Sequence, residues 1–168
     1  FINSLGQTRI RAIWDQTDQT GTPPEGFEYG SEYTSDQINE ALASDNPLSI
    51  VPTTDTDGHG TALASIAAGS RSEANGRFIG AAPDCDIVVV KLKEAKQYIK
   101  DYYRIPEGVP CYMENDIMIA IQYMQKFVQN LFRPLVICLG VGSSLGDHAG
   151  NTSLERYMQR IMQLRSRV

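Results

Sequence analysis

A histidine set between two glycines, Gly58-His59-Gly60, is the residue of this chain whose setting best suits chemistry. It opens the run HGTALASIAAG, residues 59–69. The Ala, Ser and Gly content of that run predicts a helix that is buried and presses closely on a neighbour. A histidine in the first turn of a helix meets free backbone N–H groups and the positive end of the macrodipole, both of which disfavour the imidazolium. A neutral imidazole is what a general base must be before it takes a proton from a nucleophile. A carboxylate on the other ring nitrogen would fix its tautomer. Asp55 and Asp57 are near in sequence, but carboxylates so close along a turn serve better as acceptors for the turn and the helix start.

A second candidate is the triplet Gly140, Val141 and Gly142, directly after an apolar run. Glycines there permit close approach by another extended backbone. The segment has neither GxGxxG nor GxxxxGK[ST], so a phosphate loop has no support. Metal binding has little more. TTDTDG would put Thr53 at the first and Ala64 at the twelfth position of a calcium loop, which excludes an EF-hand. Asp147 and His148 read as a solvated loop pair, and no metal is assigned. Cys85, Cys111 and Cys138 are odd in number and form no CxxC pair, and Cys85 and Cys138 lie in or beside apolar stretches. That suggests small buried hydrophobes rather than a disulfide frame and favours a reducing setting.

The elements that must position these groups follow from periodicity. RIRAIW, residues 9–14, alternates and then turns apolar, as a half-buried strand does. Residues 15–33 are rich in Gly, Pro and Thr and predict a long irregular loop. Thr34 and Gln37 form a capping box ahead of a short helix carrying Ile38, Ala41 and Leu42. IVVVKL, residues 87–92, predicts an interior strand of a parallel sheet covered on both faces. Residues 94–113 lose all pattern and read as an insertion or extended loop. Ile117, Ile121, Met124, Val128 and Leu131 then recur at helical spacing behind Glu114 and Asp116. Pro134 ends that helix, LVICL (135–139) predicts a third strand, and Thr152 with Glu155 caps a last helix with the face Leu154, Tyr157, Met158 and Ile161. Alternating strands and helices imply an α/β fold with a mostly parallel sheet, whose ligands sit at the strands' carboxyl ends.

The bulk numbers agree. A length of 168 residues favours one domain, and 42% hydrophobic with 21% charged residues is ordinary for a globular protein. A net charge of −5 leaves no basic stripe for nucleic acid or an anionic membrane. No apolar run approaches the roughly 18 residues that span a bilayer. No signal peptide is visible, but the chain opens at Phe1 rather than Met, so that absence carries no weight.

Three segments carry a family resemblance. DGHGTALASIAAG resembles the HGTxVAxxIAG histidine motif of the subtilisin-like serine peptidases, the subtilases. GRFIGAAPDCDIVVVKL (76–92) is similar to their G-x-APxAxIxxxKV strand, and PLVICLGVG (134–142) to the strand ending in their substrate-binding SLG. RIRAIWDQT, PPEGFEYGSEYT and INEAL further resemble the Csp-type subtilases of clostridia and their relatives, some of which process a spore-cortex lytic enzyme in germination. The likeness spans essentially the whole chain.

The resemblance implies a three-layer subtilisin-like fold, incomplete in this chain, with residues 1–168 a partial catalytic domain and 94–113 an insertion. It implies serine endopeptidase activity by an Asp-His-Ser triad, with His59 the base. Gly140, Val141 and Gly142 would be the strand that pairs with a protein or peptide substrate. The family's triad Asp precedes the matched segment, and its oxyanion Asn and GTSxA serine follow it. None of these motifs occurs here, so the piece alone is expected to be inactive. GVG in place of SLG alters a pocket wall. The calcium loop, around residues 70–79, is not clearly matched, so no cofactor is assigned. The alternative reading is a Csp-like pseudoprotease acting as a binding or regulatory module. Exposed sheet edges predict self-association of the piece. The expected setting is bacterial, cytoplasmic or spore-associated rather than disulfide-bonded and secreted.

Overall fold

The computed structural model describes residues 1–71, 78–129, 131 and 133–165. Mixed α/β structure is observed, divided between two compact units, Phe1–Lys93 and Glu94–Val168.

The first unit is built on a three-stranded sheet in the order β2-β1-β3. Strand β1 (Ile10–Asp15) forms where the alternating run predicts it. It pairs in parallel with β3 (Ile87–Lys91), register Trp14↔Val90 and Asp15↔Lys91. Its other edge pairs antiparallel with β2 (Ser31–Thr34). The end of the expected 15–33 loop is therefore a strand. Only four residues pair, with Ser31 and Tyr33 buried between more open neighbours, too short a run for periodicity to reveal.

Helix α1 (Ser35–Ala43) starts on the expected capping box. Gln37 N donates to Thr34 Oγ1 at 3.4 Å, and Thr34 N donates to Gln37 Oε1 at 2.9 Å. Ile38 and Ala41 of α1 are buried with Tyr33 and Val51, and Ile10, Ile13 and Ile50 pack against them. Leu42, expected on the same face, is exposed instead. Trp14 faces the other side of the sheet from Ile13. It is fully buried against Phe27, at 4.9 Å between ring centroids, and Tyr29, at 5.4 Å, and Trp14 Nε1 donates to Tyr29 O at 3.1 Å. Burying an aromatic of this size contributes about 2–3 kcal/mol. A 3-10 turn, Pro47–Ser49, leads to the segment before α2 (His59–Ala68).

Two expectations need correction in this unit. All five residues of β3 are half-buried rather than enclosed, because β3 lies at the margin of the described sheet. Helix α2 is buried only in its last turn, at Ala68, while Ile66 is 61% exposed. Its close packing is concentrated at one end.

In the second unit, residues 94–113 are not structureless. Glu94 bridges to Tyr112, and α3 (Gln97–Tyr102) lies between them. Helix α4 (Glu114–Val128) buries Ile117, Ala120, Ile121, Tyr123 and Val128, and ends before the expected Leu131. Helix α5 (Ser153–Arg165) packs on α4 and opens on the expected reciprocal cap, Thr152 N to Glu155 Oε2 at 2.9 Å and Glu155 N to Thr152 Oγ1 at 3.3 Å. Ile161 is buried, and Leu154, Tyr157 and Met158 are half-buried. The expected third strand at 135–139 does not form. Its residues retain alternation, Leu135 and Ile137 half-buried and Val136 and Cys138 exposed, yet no described backbone pairs with them in a ladder.

Candidate functional site

His59 stands at the first helical position of α2, exposed to solvent. Gly58 supplies the turn into the helix. Its φ of 82° is left-handed, a conformation that costs other residues about 1 kcal/mol or more. Asp55 holds the turn shut. Its Oδ1 accepts from Gly58 N at 2.8 Å and Asp57 N at 3.3 Å, and its Oδ2 accepts from Thr61 N at 2.8 Å and Thr61 Oγ1 at 2.6 Å. Both oxygens thus serve the start of α2, as expected of Asp55. The Thr61 hydroxyl, then the backbone N–H groups of Thr61 and Gly58, hold this carboxyl down at about 2.

A stability prediction arises here. Asp55→Ala should cost about 1 kcal/mol at neutral pH, the usual worth of a side-chain cap. The carboxyl's folded pKa is depressed from 3.8 to about 2, so its contribution is fully present above 3.8 and lost as pH falls through about 2. Urea midpoints of the two proteins should therefore differ at pH 7 and converge near pH 2.

The segment leading to this turn is tied to the sheet. The Thr53 hydroxyl donates to Oδ2 of Asp15, the last residue of β1. Lys91 Nζ, from the end of β3, meets the same oxygen at 3.0 Å. Thr17 N and Thr17 Oγ1 donate to Asp15 Oδ1 at 2.8 and 2.6 Å. Asp15 is only 1% exposed. Burial acts to raise its pKa, but the bonds from Thr17, Thr53 and Lys91 outweigh it and leave the carboxyl below its ordinary value. Sequence reasoning placed Asp15 in a loop and missed this cluster. The available signal was a carboxylate ending one strand and a lysine ending another, which parallel pairing brings side by side.

The far end of α2 is satisfied group by group. Ser65 O accepts from Gly69 N at 2.8 Å, Ile66 O from Ala81 N at 3.0 Å, and Ala67 O from Ala82 N at 2.8 Å. Ala68 O accepts from Arg9 Nη2, and Gly69 O from Gly80 N at 3.0 Å. A Cβ on Gly80 would lie 2.3 Å from Gly69 N, so the crossing requires glycine. This is the close approach that the small residues predict, placed at the helix end.

Gly140, Val141 and Gly142 belong to the second unit. Gly140 and Gly142 are exposed, Val141 is half-buried, and a Cβ at Gly142 would meet nothing within 4 Å. Asp147 accepts from Ala149 N at 3.1 Å and from the Asn151 amide, as a loop-organising residue does. Among the described residues no three His, Cys, Asp or Glu side chains converge as metal ligands. Residues 72–77, within the stretch where a calcium loop would lie, fall outside the described residues.

Three comparisons bear on this geometry. The subtilase family model matches residues 25–161. The CspB protease of Clostridium perfringens superposes with a TM-score of 0.76 at 29% sequence identity, covering 97% of this chain and 30% of that chain. The chain therefore spans less than a third of the length of the protease it resembles. No curated protein matches it significantly.

Proposed function

The chain belongs to the subtilase family, and from that premise we propose that the protein carrying it is a serine endopeptidase in which His59 is the general base. One observation carries the reading. In the segment that matches the family, a histidine is presented to solvent at the head of α2, on a turn that Asp55 locks. His59 would take the proton of the serine hydroxyl as its oxygen bonds to the peptide carbonyl carbon. It would then return the proton to the departing amine, leaving an acyl-enzyme that water hydrolyses by the same relay. Donors aimed at the carbonyl oxygen would stabilise the developing charge. Gly140, Val141 and Gly142 would be the strand that pairs with the substrate.

The 168 residues hold no GTSxA motif. The 168-residue chain by itself is accordingly expected not to react with a fluorophosphonate, whereas the full-length protein carrying it should be labelled stoichiometrically at one serine. A full-length protein that binds peptide but is never labelled would instead be a pseudoprotease. Self-association of the isolated chain is also expected, since β3 is half-exposed and Ile66 open. A clean monomer by sedimentation at high concentration would contradict it. No helix among the described residues is long and apolar enough to cross a membrane.

A further inference from the structure

We propose that Asp15 is a positioning residue for His59, acting through Thr53 on the turn that presents the imidazole. The proposal rests on the reading of His59 as the base. Helix α2 is gripped at its far end by Arg9 and the 80–82 segment. Asp55 shapes its near end, but Asp55 belongs to the same turn and moves with it. Beyond the buried Val51, that turn is tied to the sheet by the bond from the Thr53 hydroxyl to Asp15. Thr53 lies two residues before Asp55 and six before His59.

The chemistry of Asp15 suits an anchor. Its two oxygens are occupied by Thr17 on one side and by Thr53 and Lys91 on the other, and it is buried, so it is filled rather than poised for proton transfer. A carboxylate is required. An amide would offer one oxygen in place of two and would turn an N–H toward either Thr17 N or Lys91. Lys91, opposite Asp15 in the parallel register, balances the buried charge and holds the carboxylate in one orientation. The anchor thus fixes the turn to the carboxyl ends of β1 and β3, and α2 is held at both ends rather than pivoting about one. Small displacements of a catalytic group weigh heavily on rate, about a hundredfold for a shift near 1 Å.

The test uses the full-length protein with three substitutions. Thr53→Val removes the hydroxyl but leaves the bonds of Asp15 with Thr17 and Lys91 in place. Thr53→Ser keeps the hydroxyl, and His59→Ala removes the base. Two readouts are taken: deuterium uptake in the peptide covering residues 53–62, and the rate of serine labelling by a fluorophosphonate. T53V should raise uptake in that peptide and slow labelling by about ten- to a hundredfold, with T53S restoring both. Asp15→Asn should reproduce T53V in any folded preparation. Uptake and labelling both unchanged in T53V would overturn the proposal, as would uptake that rises while labelling does not fall. Neither result touches the proposed function, which fails separately if H59A is labelled as fast as the natural protein.

Discussion

Replacing His59 by alanine in the full-length protein should lower kcat by about a millionfold, the size of loss attached to removing the base from the subtilisin triad. The effect is large because the groups act as a unit. On the proposed mechanism, without a base the serine hydroxyl would keep its proton, and the remaining donors would have little developing charge to stabilise. KM should change little, since the imidazole contributes to the transition state and not to binding the peptide. Stability should also change little. His59 is exposed at the first helical position, and surface substitutions of this kind stay within about 0.5 kcal/mol. The measurement is a pair: steady-state kinetics on a peptide substrate, and a thermal melt. A loss of activity accompanied by a collapsed melt would assign His59 a structural role instead. Asp57 is the internal contrast, close in sequence and exposed, and Asp57→Ala should leave kcat within a few-fold.

Local signals transferred well from sequence to structure, and long-range ones did not. The two capping boxes, Thr34 with Gln37 and Thr152 with Glu155, are visible in four residues each and form as expected, because all their partners lie within one turn. The face of α4 is equally legible from spacing alone. LVICL failed for the opposite reason. Its composition is that of a strand, but a strand is defined by the second backbone that completes its hydrogen bonds, and composition says nothing about whether that partner is at hand. Strand β2 was missed by the same logic in reverse, since its pairing with β1 turns four unremarkable residues, SEYT, into a strand.

The site divides along the same line. The place of His59 at a helix start is legible because its setting is contiguous: a glycine on each side and a small-residue helix behind. The groups that hold it in place, Asp15, Thr53, Lys91 and Arg9, are scattered over more than eighty positions and meet only once β1 and β3 have paired. The small residues of α2 suggest burial along its length. They serve instead a single crossing, where Gly69 and Gly80 bring two backbones within reach and the intervening faces stay open.

Beside that crossing, Arg9 grips the far end of the His59 helix. Arg9 is buried, 7% exposed, and its guanidinium donates to Ala68 O at the end of α2, to Cys85 O before β3 at 2.7 Å, and to Ser70 Oγ at 3.0 Å. Ser70 Oγ passes the connection on to Ile2 O at 2.7 Å. Arg9→Met keeps the apolar stem and removes every donor. Hydrogen bonds from a charged group are worth about 1.5–3 kcal/mol each, and two carbonyls left without partners add desolvation, so a total near 3–5 kcal/mol is expected. Arg9→Lys should recover less than half of it. One ammonium cannot reach two carbonyls and a hydroxyl arranged around a planar fork. Urea unfolding should place the three proteins in the order natural, R9K, R9M. Deuterium uptake at residues 66–69 should rise in R9M under conditions where β1 remains protected, because the helix end loses its acceptor's partner before the sheet loses its ladder. If R9M instead unfolded within 1 kcal/mol of the natural protein, the guanidinium would be replaceable by water, and the grip on the far end of α2 would have to lie with the backbone bonds of Gly80, Ala81 and Ala82 alone.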